Sequence, residues 1–301
     1  MDPRPGRGSE LAAETPAVAT FTDLDAALAA PDLDAVAVCS PTAFHVDQAI
    51  AALRAGLPVL LEKPVAKDLA AARRLADVVD ETGLPLLLGY TWRWWPPLTD
   101  LRRRLADGVV GRLRHVDFIM SAHLADWHPG EPLAEFFMSS AALGGGALLD
   151  ESHWIDLMLW LFGLPTALSA SVETISDLEI TSDDNVDMQL SYPDGLRVRI
   201  HLDLFGRPHR KEIRFIGENG TILWSEAPNR IAVAHGMTAD WQTTDFDCER
   251  NDMFMGVARE FLTLLDGDAT PACTLADGLN VMRLIEAARE SQADGRRIVM
   301  T

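Results

Sequence analysis

The sequence has few cysteines, a shortage of positive charge and no long apolar run. Its three cysteines, Cys39, Cys248 and Cys273, form no CxxC pair, so neither a disulfide framework nor a zinc site is indicated. Every apolar stretch is far shorter than the roughly 18–20 residues that a membrane span needs. No apolar segment typical of a secretory signal follows Met1. We therefore expect a cytoplasmic protein with no membrane partner.

The excess of negative charge narrows the possible partners. The chain contains 26 basic and 45 acidic residues, a formal net charge of −19, and the resulting field repels the phosphates of nucleic acids. We therefore expect no nucleic-acid partner. A length of 301 residues with 48% hydrophobic residues is typical of a globular protein with two domains.

The first part of the chain alternates short apolar runs with helical periods, as βαβ units do. Strands are predicted over residues 35–40, 58–61 and 84–88, with helices over residues 45–55 and 68–82 between them. One further strand is predicted over residues 18–21. These elements predict a parallel sheet.

After residue 90 the pattern changes to alternation of apolar and polar residues. Segments at residues 116–120, 186–192 and 198–204 predict half-buried antiparallel strands, and the turns at residues 193–195 and 218–220 are typical of hairpins. Helices are predicted over residues 252–265 and 274–293. Because Trp94-Trp95-Pro96-Pro97 should interrupt regular structure, we place a domain boundary between residues 92 and 93.

Three sets of polar residues follow the predicted strands, where ligands bind in an open parallel sheet. They are Ser40-Pro41-Thr42 with His45, Glu62-Lys63-Pro64, and Gly89-Tyr90 with Arg93. Taken singly, each set could be ordinary loop residues. Their coincidence at one edge of the sheet favours a binding site.

A glycine-rich segment, Gly144-Gly-Gly146, precedes Asp150 and His153. Three residues apart on a helix, Asp150 and His153 would share one face, and a carboxylate beside an imidazole suits a general base. The alternative is a helix-start aspartate with a hydrogen-bonded core histidine. A metal site that adds His123 or His128 lacks HExxH-type spacing, so no metal is expected.

Together these motifs resemble the Gfo/Idh/MocA family of NAD(P)-dependent sugar and cyclitol dehydrogenases. The resemblance is carried by Cys39-Ser-Pro-Thr42 with His45, Leu61-Glu-Lys-Pro64, Gly89-Tyr90 with Arg93, and Gly144-Gly-Gly146 with Asp150 and His153. It extends over nearly the whole chain. It implies an oxidoreductase that transfers hydride between a nicotinamide cofactor and a secondary hydroxyl or ketone of a sugar, sugar derivative or cyclitol.

The resemblance also implies residue roles. Lys63 and His153 would act on the reacting hydroxyl, and Asp150 would orient the substrate or the imidazole. The implied cofactor-binding residues are Ser40, Pro41, Thr42, His45, Glu62, Lys63 and Arg93, and the implied substrate-binding residues are Lys63, Tyr90, Trp92, Asp150 and His153. NAD is favoured slightly over NADP, because Asp2 falls near the position that binds the adenosine ribose in NAD-dependent members. The sheet of the second domain would join copies of the chain into a homo-oligomer.

The sequence departs from the family pattern in two ways. The commoner family spacing is Asp-x-x-x-His, whereas Asp150 and His153 are three apart, which on a helix would rotate Asp150 by about 100°. The family's opening strand, Gly-rich turn, helix and second strand have no counterpart, so the sequence is expected to begin about 30 residues late. We would then expect two empty strand positions between residues 18–21 and the next strand, and weak cofactor binding.

The expected fold is therefore α/β followed by α+β. An N-terminally incomplete Rossmann-type parallel sheet (residues 1–92) would precede a larger domain (residues 93–301) with an open antiparallel sheet and flanking helices. Two alternative functions remain open at this point. One is a degenerate, non-catalytic family member with a binding or assembly role, and the other is an NAD-using relative that cleaves glycosides.

Overall fold

A three-stranded parallel sheet forms the first layer of the chain, of which the computed structural model describes residues 1–4, 6–14, 19–127, 132–237, 240–267 and 270–300. Two short helices, α1 (Arg7–Glu14) and α2 (Leu24–Leu28), precede it. The sheet contains β1 (Val36–Val38), β2 (Val59–Leu61) and β3 (Leu86–Leu88) in that order, connected by α3 (His45–Arg54) and α4 (Leu69–Thr82). The predicted βαβ pattern is thereby confirmed.

A nine-stranded, mostly antiparallel sheet follows. Its strands are β4 (Leu113–Ser121), β5 (Ala167–Glu173), β6 (Asn185–Ser191), β7 (Arg197–Asp203), β8 (Arg210–Gly217), β9 (Gly220–Ser225), β10 (Arg230–His235), β11 (Gln242–Asp245) and β12 (Ile298–Val299). They lie in the order β11-β10-β9-β8-β4-β7-β6-β5-β12. The accompanying helices are α5 (Pro96–Ala106), α6 (Ala147–Asp150), α7 (His153–Phe162), α8 (Arg250–Leu265) and α9 (Leu275–Asp294). Across the described ranges, none of the helices is long and apolar enough to cross a membrane.

Local side-chain chemistry sets the ends of the predicted helices. The Asp68 carboxylate accepts a hydrogen bond from the Ala71 amide at the start of α4 (2.8 Å), and Gly83 ends that helix in the left-handed region. At the start of α9, Thr274 and Asp277 form a reciprocal capping box. Such caps satisfy amides that have no partner within the helix, and each contributes about 1 kcal/mol.

An aromatic core fastens α7 to the large sheet. The ring of Trp154 lies 6.4 Å from that of Phe118 on β4 and 6.3 Å from that of Trp224 on β9. All three side chains are fully buried, and truncating such an aromatic costs about 3–5 kcal/mol. Because His153 directly precedes Trp154, this packing also holds His153 in place.

Three expectations about the fold are wrong. Residues 19–21 form no strand, although the Phe21 carbonyl accepts a hydrogen bond from the Asp2 amide (3.1 Å); residue 18 lies outside the described residues. The expected gap of two strand positions therefore has no counterpart among the described strands. Pro96 and Pro97 begin α5 instead of interrupting structure, because a first-turn amide lacks an intrahelical partner anyway.

One strand of the antiparallel sheet has a parallel neighbour. β4 pairs in parallel with β7 and antiparallel with β8. Because β7 and β8 run in opposite directions, a strand inserted between them must be parallel to one of the two. The alternation of apolar residues in β4 identifies its buried face but carries no information about its neighbours.

Helix α9 packs on both sheets. At Gly278, an added Cβ would fall 2.4 Å from side-chain atoms of Leu88 and Val65, which belong to the parallel-sheet layer. Near the other end of α9, Ser291 Oγ accepts a hydrogen bond from the Ala170 amide of β5 (2.9 Å). Residues from the end of the chain therefore complete the packing of both sheets, and the boundary between residues 92 and 93 stays a prediction.

Candidate active site

Lys63 and Asp150 form a largely buried ion pair between the two sheets. The Lys63 Nζ donates hydrogen bonds to Asp150 Oδ1 (2.9 Å) and to the Asp150 carbonyl oxygen (2.5 Å). Burial alone would lower the pKa of Lys63, but the nearby carboxylates of Asp150 and Glu151 outweigh burial and raise it. Lys63 is therefore a fixed positive charge with two of its three N–H donors engaged by one residue.

His153 lies at the start of α7, and the helix is interrupted between Asp150 and His153. Asp150 is the last residue of α6, and Glu151 and Ser152 form a turn. The prediction that Asp150 and His153 share one helix face is therefore wrong, because residues three apart share a face only within one continuous helix. No hydrogen bond joins Asp150 to His153 among the described residues; the Asp150 carboxylate binds Lys63 instead.

The environment of His153 keeps its imidazole neutral. Burial lowers the pKa of His153 well below its usual value, and the positive charges of Lys63, Lys211 and Arg250 lower it further. The Nδ1 atom is buried and has no hydrogen-bond partner in the described part of the chain. A neutral imidazole with an unoccupied nitrogen can accept a proton from a hydroxyl group.

Sequence reasoning missed Glu151, which shares this buried cluster. Its Oε2 accepts a hydrogen bond from Trp154 Nε1 (3.1 Å). Burial and the neighbouring Asp150 charge raise the pKa of Glu151 to about 7, against the opposing effect of Lys63. Its position between Asp150 and His153 was the only sequence signal, and it could not be distinguished from that of a surface residue.

Tyr90 and Trp92 lie beside these residues. The Tyr90 ring meets the His153 ring edge-on, with centroids 5.8 Å apart. Burial raises the pKa of Tyr90 well above 10, so the hydroxyl stays protonated. Ser152 lies near it, but within the described ranges neither hydroxyl has a partner of good hydrogen-bond geometry. Trp92 is buried and faces the Lys211 ammonium across 5.4 Å.

His45 and Arg93, both predicted to bind the cofactor, form hydrogen bonds or ion pairs with other groups of the protein in this structure. His45 Nδ1 lies 2.7 Å from the Pro64 carbonyl oxygen, and Nε2 lies 2.8 Å from the Ser40 carbonyl oxygen. Burial lowers the pKa of His45, which favours the neutral ring; a neutral ring donates only one of these two bonds. His45 thus ties the loop after β1 to the loop after β2.

Arg93 forms a buried, bidentate ion pair with Asp156 of α7. Its Nε and Nη2 donate to the two carboxylate oxygens at 2.9 and 2.6 Å, and Nη1 donates to the Ala272 carbonyl oxygen (2.8 Å). Burial raises the pKa of Asp156 to about 6 even beside this cation, while the pKa of Arg93 is raised. The bidentate geometry requires an ionised carboxylate, so Arg93 and Asp156 form a charged pair.

The described residues contain no cluster of histidine, cysteine or acidic side chains that could hold a metal ion. His123 Nδ1 accepts a hydrogen bond from the Ala125 amide (3.2 Å) and so caps a short helical turn. His128 lies outside the described residues.

Lys63 follows a strand of the parallel sheet, at the edge where such sheets bind ligands, and its charge acts on the neutral His153; this arrangement is typical of an oxidoreductase that uses a dinucleotide. Comparison with known families agrees. Residues 1–90 match the oxidoreductase family with an NAD-binding Rossmann fold, and residues 98–223 match the GFO/IDH/MocA C-terminal domain. The chain belongs to the Gfo/Idh/MocA family of oxidoreductases, as the sequence motifs predicted.

Curated relatives and solved structures agree with this assignment. The chain is 31% identical to the rhizopine catabolism protein MocA of Rhizobium meliloti, over 91% of this chain and 80% of that protein. It is 27% identical to inositol 2-dehydrogenase of Rhizobium meliloti strain 1021, over 91% of this chain and 83% of that protein. The WlbA dehydrogenase from Bordetella pertussis, solved with NADH and UDP-GlcNAcA, matches with a TM-score of 0.82 at 25% identity. The match covers 100% of this chain and 89% of the WlbA chain.

The residues at the carboxyl ends of β1 and β2 fit a nicotinamide dinucleotide. Ser40 Oγ is buried and has no hydrogen-bond partner among the described residues, and a cofactor hydroxyl could supply one. Gly144 closes the same space, since a Cβ there would fall 2.7 Å from Thr42. The Glu62 carboxyl lies against Gly89, since a Cβ added at Gly89 would fall 3.1 Å from it. Burial raises the pKa of Glu62.

Proposed function

We propose that this protein oxidises a secondary hydroxyl of a sugar, sugar derivative or cyclitol, or reduces the corresponding ketone, with NAD or NADP. The observation that carries the proposal is the convergence of a charged Lys63 and a neutral His153 in one buried cluster. Lys63 is near enough for its charge to depress the pKa of His153. A cation and a base side by side are what an alcohol needs to lose a proton.

The chain's own groups divide the chemistry between them. Asp150 engages two N–H donors of Lys63, which leaves the third for the oxygen of the substrate. That contact strengthens as negative charge develops on the oxygen, so it favours the transition state over the bound alcohol. His153 accepts the hydroxyl proton and returns it in the reverse direction. When bound, the nicotinamide ring supplies the hydride acceptor.

Two residues near the start of the chain bear on the choice between NAD and NADP. Asp2 supports NAD, because a carboxylate at its position can accept hydrogen bonds from the adenosine ribose. Arg4 lies beside it, with the Arg4 Nη2 atom 2.7 Å from Asp2 Oδ2, and an arginine there suits the 2′-phosphate of NADP. Both cofactors therefore belong in the assay.

We assign cofactor binding to residues 1–92 and substrate binding and assembly to residues 93–301. The carboxyl ends of β1, β2 and β3 support the first assignment, and the position of His153 on α7 supports the second. All three cysteines are unpaired, which supports the cytoplasm as the proposed location.

We also propose that the outward face of the nine-stranded sheet joins two copies of the chain. This face carries alternating charges: Arg199 Nε lies 2.8 Å from Asp117 Oδ1, and His201 lies between Asp187 (3.0 Å) and Asp203 (3.1 Å). In a two-fold interface the same patch of both chains meets, so positive groups of one copy can face negative groups of the other. Light scattering after size exclusion should give twice the chain mass, with the Arg199→Glu variant shifted toward one chain mass.

The catalytic proposal is tested by steady-state kinetics on a panel of inositols and sugars with both cofactors. Lys63→Met should reduce turnover by about 10²–10³-fold, and His153→Asn by about 10²–10⁴-fold. Arg74→Met, on the exposed face of α4, is the matched control and should leave turnover unchanged. Near wild-type turnover in Lys63→Met, with its melting temperature unchanged, would refute the assignment and favour a non-catalytic role.

A further inference from the structure

A small polar cavity lies beside the proposed catalytic residues. Its volume is about 140 Å³, close to the roughly 150 Å³ of a cavity that holds benzene. The cavity therefore has room for about one end of a sugar. Trp92 and Trp95, which follow β3, form one wall, and the start of β8 and the start of α8 form others. The lining residues used below are Trp92, Trp95, Lys211, Glu226, Asn229 and Arg250.

The cavity has a positive lining in a protein of strongly negative charge. Two cations, Lys211 and Arg250, reach it, and neither forms an ion pair in the part of the chain that the structure describes. Glu226 is the one acidic residue in the lining. Glu151 also faces Lys211, but since its pKa is raised to about 7 it neutralises Lys211 only in part. The charges of Lys211 and Arg250 both act on His153, so the cavity is close to the reacting centre.

Two buried polar atoms in the lining have no partner among the described residues. They are Trp95 Nε1, which can only donate a hydrogen bond, and Asn229 Oδ1, which can only accept one. The amide nitrogen of Asn229 is already used, since it donates to Cys248 Sγ (2.9 Å). Both atoms lie just beneath the accessible surface, so a ligand reaches them only when the two side chains turn toward it. Because buried polar groups are normally paired, a ligand that offers both an acceptor and a donor would favour that turn.

We propose that this cavity binds a carboxylate together with its neighbouring hydroxyl, so that the substrate is a sugar acid. The inference rests on the proposed dehydrogenase function and narrows its substrate class. Lys211, Arg250 and Trp95 donate to the carboxylate oxygens. In a pyranose uronate C5 carries the ring oxygen, so the hydroxyl nearest to the carboxylate is the one on C4. This hydroxyl donates to Asn229 Oδ1, whereas the oxygens of a phosphate dianion have no proton to donate. Charge-assisted bonds of this kind are stronger than those to a neutral hydroxyl.

Calorimetric titration of the full chain, with and without NADH, tests the proposal directly. The probes are D-glucuronate, its neutral counterpart D-glucose, and D-glucose 6-phosphate. Glucuronate should bind at least about tenfold more tightly than glucose. Lys211→Met and Arg250→Gln should each abolish that preference, and Lys211→Arg should retain it. Arg259→Gln, a matched change farther along α8, should have no effect.

Each outcome decides one point. Equal affinity for glucuronate and glucose, or a preference that survives both Lys211→Met and Arg250→Gln, would overturn the subsite. Tighter binding of glucose 6-phosphate than of glucuronate would overturn the assignment to a carboxylate. Turnover measured in parallel separates the two proposals: a charge preference without any turnover contradicts the dehydrogenase function alone, while turnover of neutral sugars without a charge preference contradicts only the subsite.

Discussion

Replacing Arg93 by methionine should destabilise the protein in a way that grows with pH. The wild-type pair places a guanidinium on both oxygens of the Asp156 carboxylate, and both side chains are buried. In Arg93→Met that carboxyl loses its bidentate partner and takes up a proton, because an unpaired buried charge is more costly. The Ala272 carbonyl also loses its hydrogen bond from Arg93, at a cost of about 1 kcal/mol at every pH.

The pKa of Asp156 sets the pH range of the effect. Because this pKa is raised from 3.8 to about 6 by folding, the wild type loses stability from this group between about pH 4 and pH 6 and no further. The variant, whose carboxyl stays protonated when folded, continues to lose stability above pH 6. At 1.36 kcal/mol per pH unit, the difference between the two proteins grows by about 3 kcal/mol from pH 5 to pH 8.5.

Thermal or urea unfolding at the two pH values provides the measurement. A total loss of about 4 kcal/mol at pH 8.5 corresponds to a fall in melting temperature of roughly 6 °C for a chain of 301 residues. Arg103→Met, at an exposed pair with Asp107, should leave the melting temperature unchanged. The double variant Arg93→Met/Asp156→Leu should recover much of the loss. A penalty independent of pH would refute the reasoning, because it would mean that Asp156 is neutral in the wild type.

Three further predictions concern residues near the same site. Glu151→Gln should gain about 3 kcal/mol over the wild type between pH 5 and pH 8 in urea unfolding, since the wild type loses stability as pH rises from 4.5 to about 7. Gly278→Ala should lower stability by about 1–3 kcal/mol, because its methyl group would fall 2.4 Å from Leu88. Asp150→Asn removes the charge that raises the pKa of Lys63, so the alkaline limb of kcat/KM should move to lower pH.

Exposed positions provide the controls for these variants. Glu81→Gln on α4 should show no pH-dependent gain, and Glu286→Ala on α9 should retain wild-type stability. Equal unfolding midpoints for Glu151→Gln and wild type at pH 8 would mean that Glu151 is ionised at no cost. An unshifted alkaline limb in Asp150→Asn would show that another group limits activity there.

The helices of the first layer were predictable because their signals are local. Asp68 caps α4 through an amide three residues away, and Gly83 ends it with a conformation that other residues avoid. Lys63 could also be singled out, since it follows a strand whose end belongs to the ligand-binding edge. These inferences need only neighbouring residues and the topology of a parallel sheet.

The rest of the site depends on contacts between distant parts of the chain. The break between Asp150 and His153 contains neither proline nor glycine, so nothing local predicts it. Lys211 and Arg250 reach the cavity only because β8 and α8 meet the segment after β3. For the same reason the parallel pairing of β4 with β7 could not be predicted, since it joins segments about 80 residues apart.

The position of α9 has a consequence for the order in which the chain is made. The parallel-sheet layer is complete by Leu88, yet Val65 and Leu88 are covered by Gly278. During synthesis, roughly two hundred residues must leave the ribosome before that apolar surface is covered, because domains otherwise fold from the N-terminus as they emerge. The early part of the nascent chain therefore presents an open hydrophobic face to chaperones for most of translation. A truncated messenger that ends before α9 should yield a product that chaperones retain.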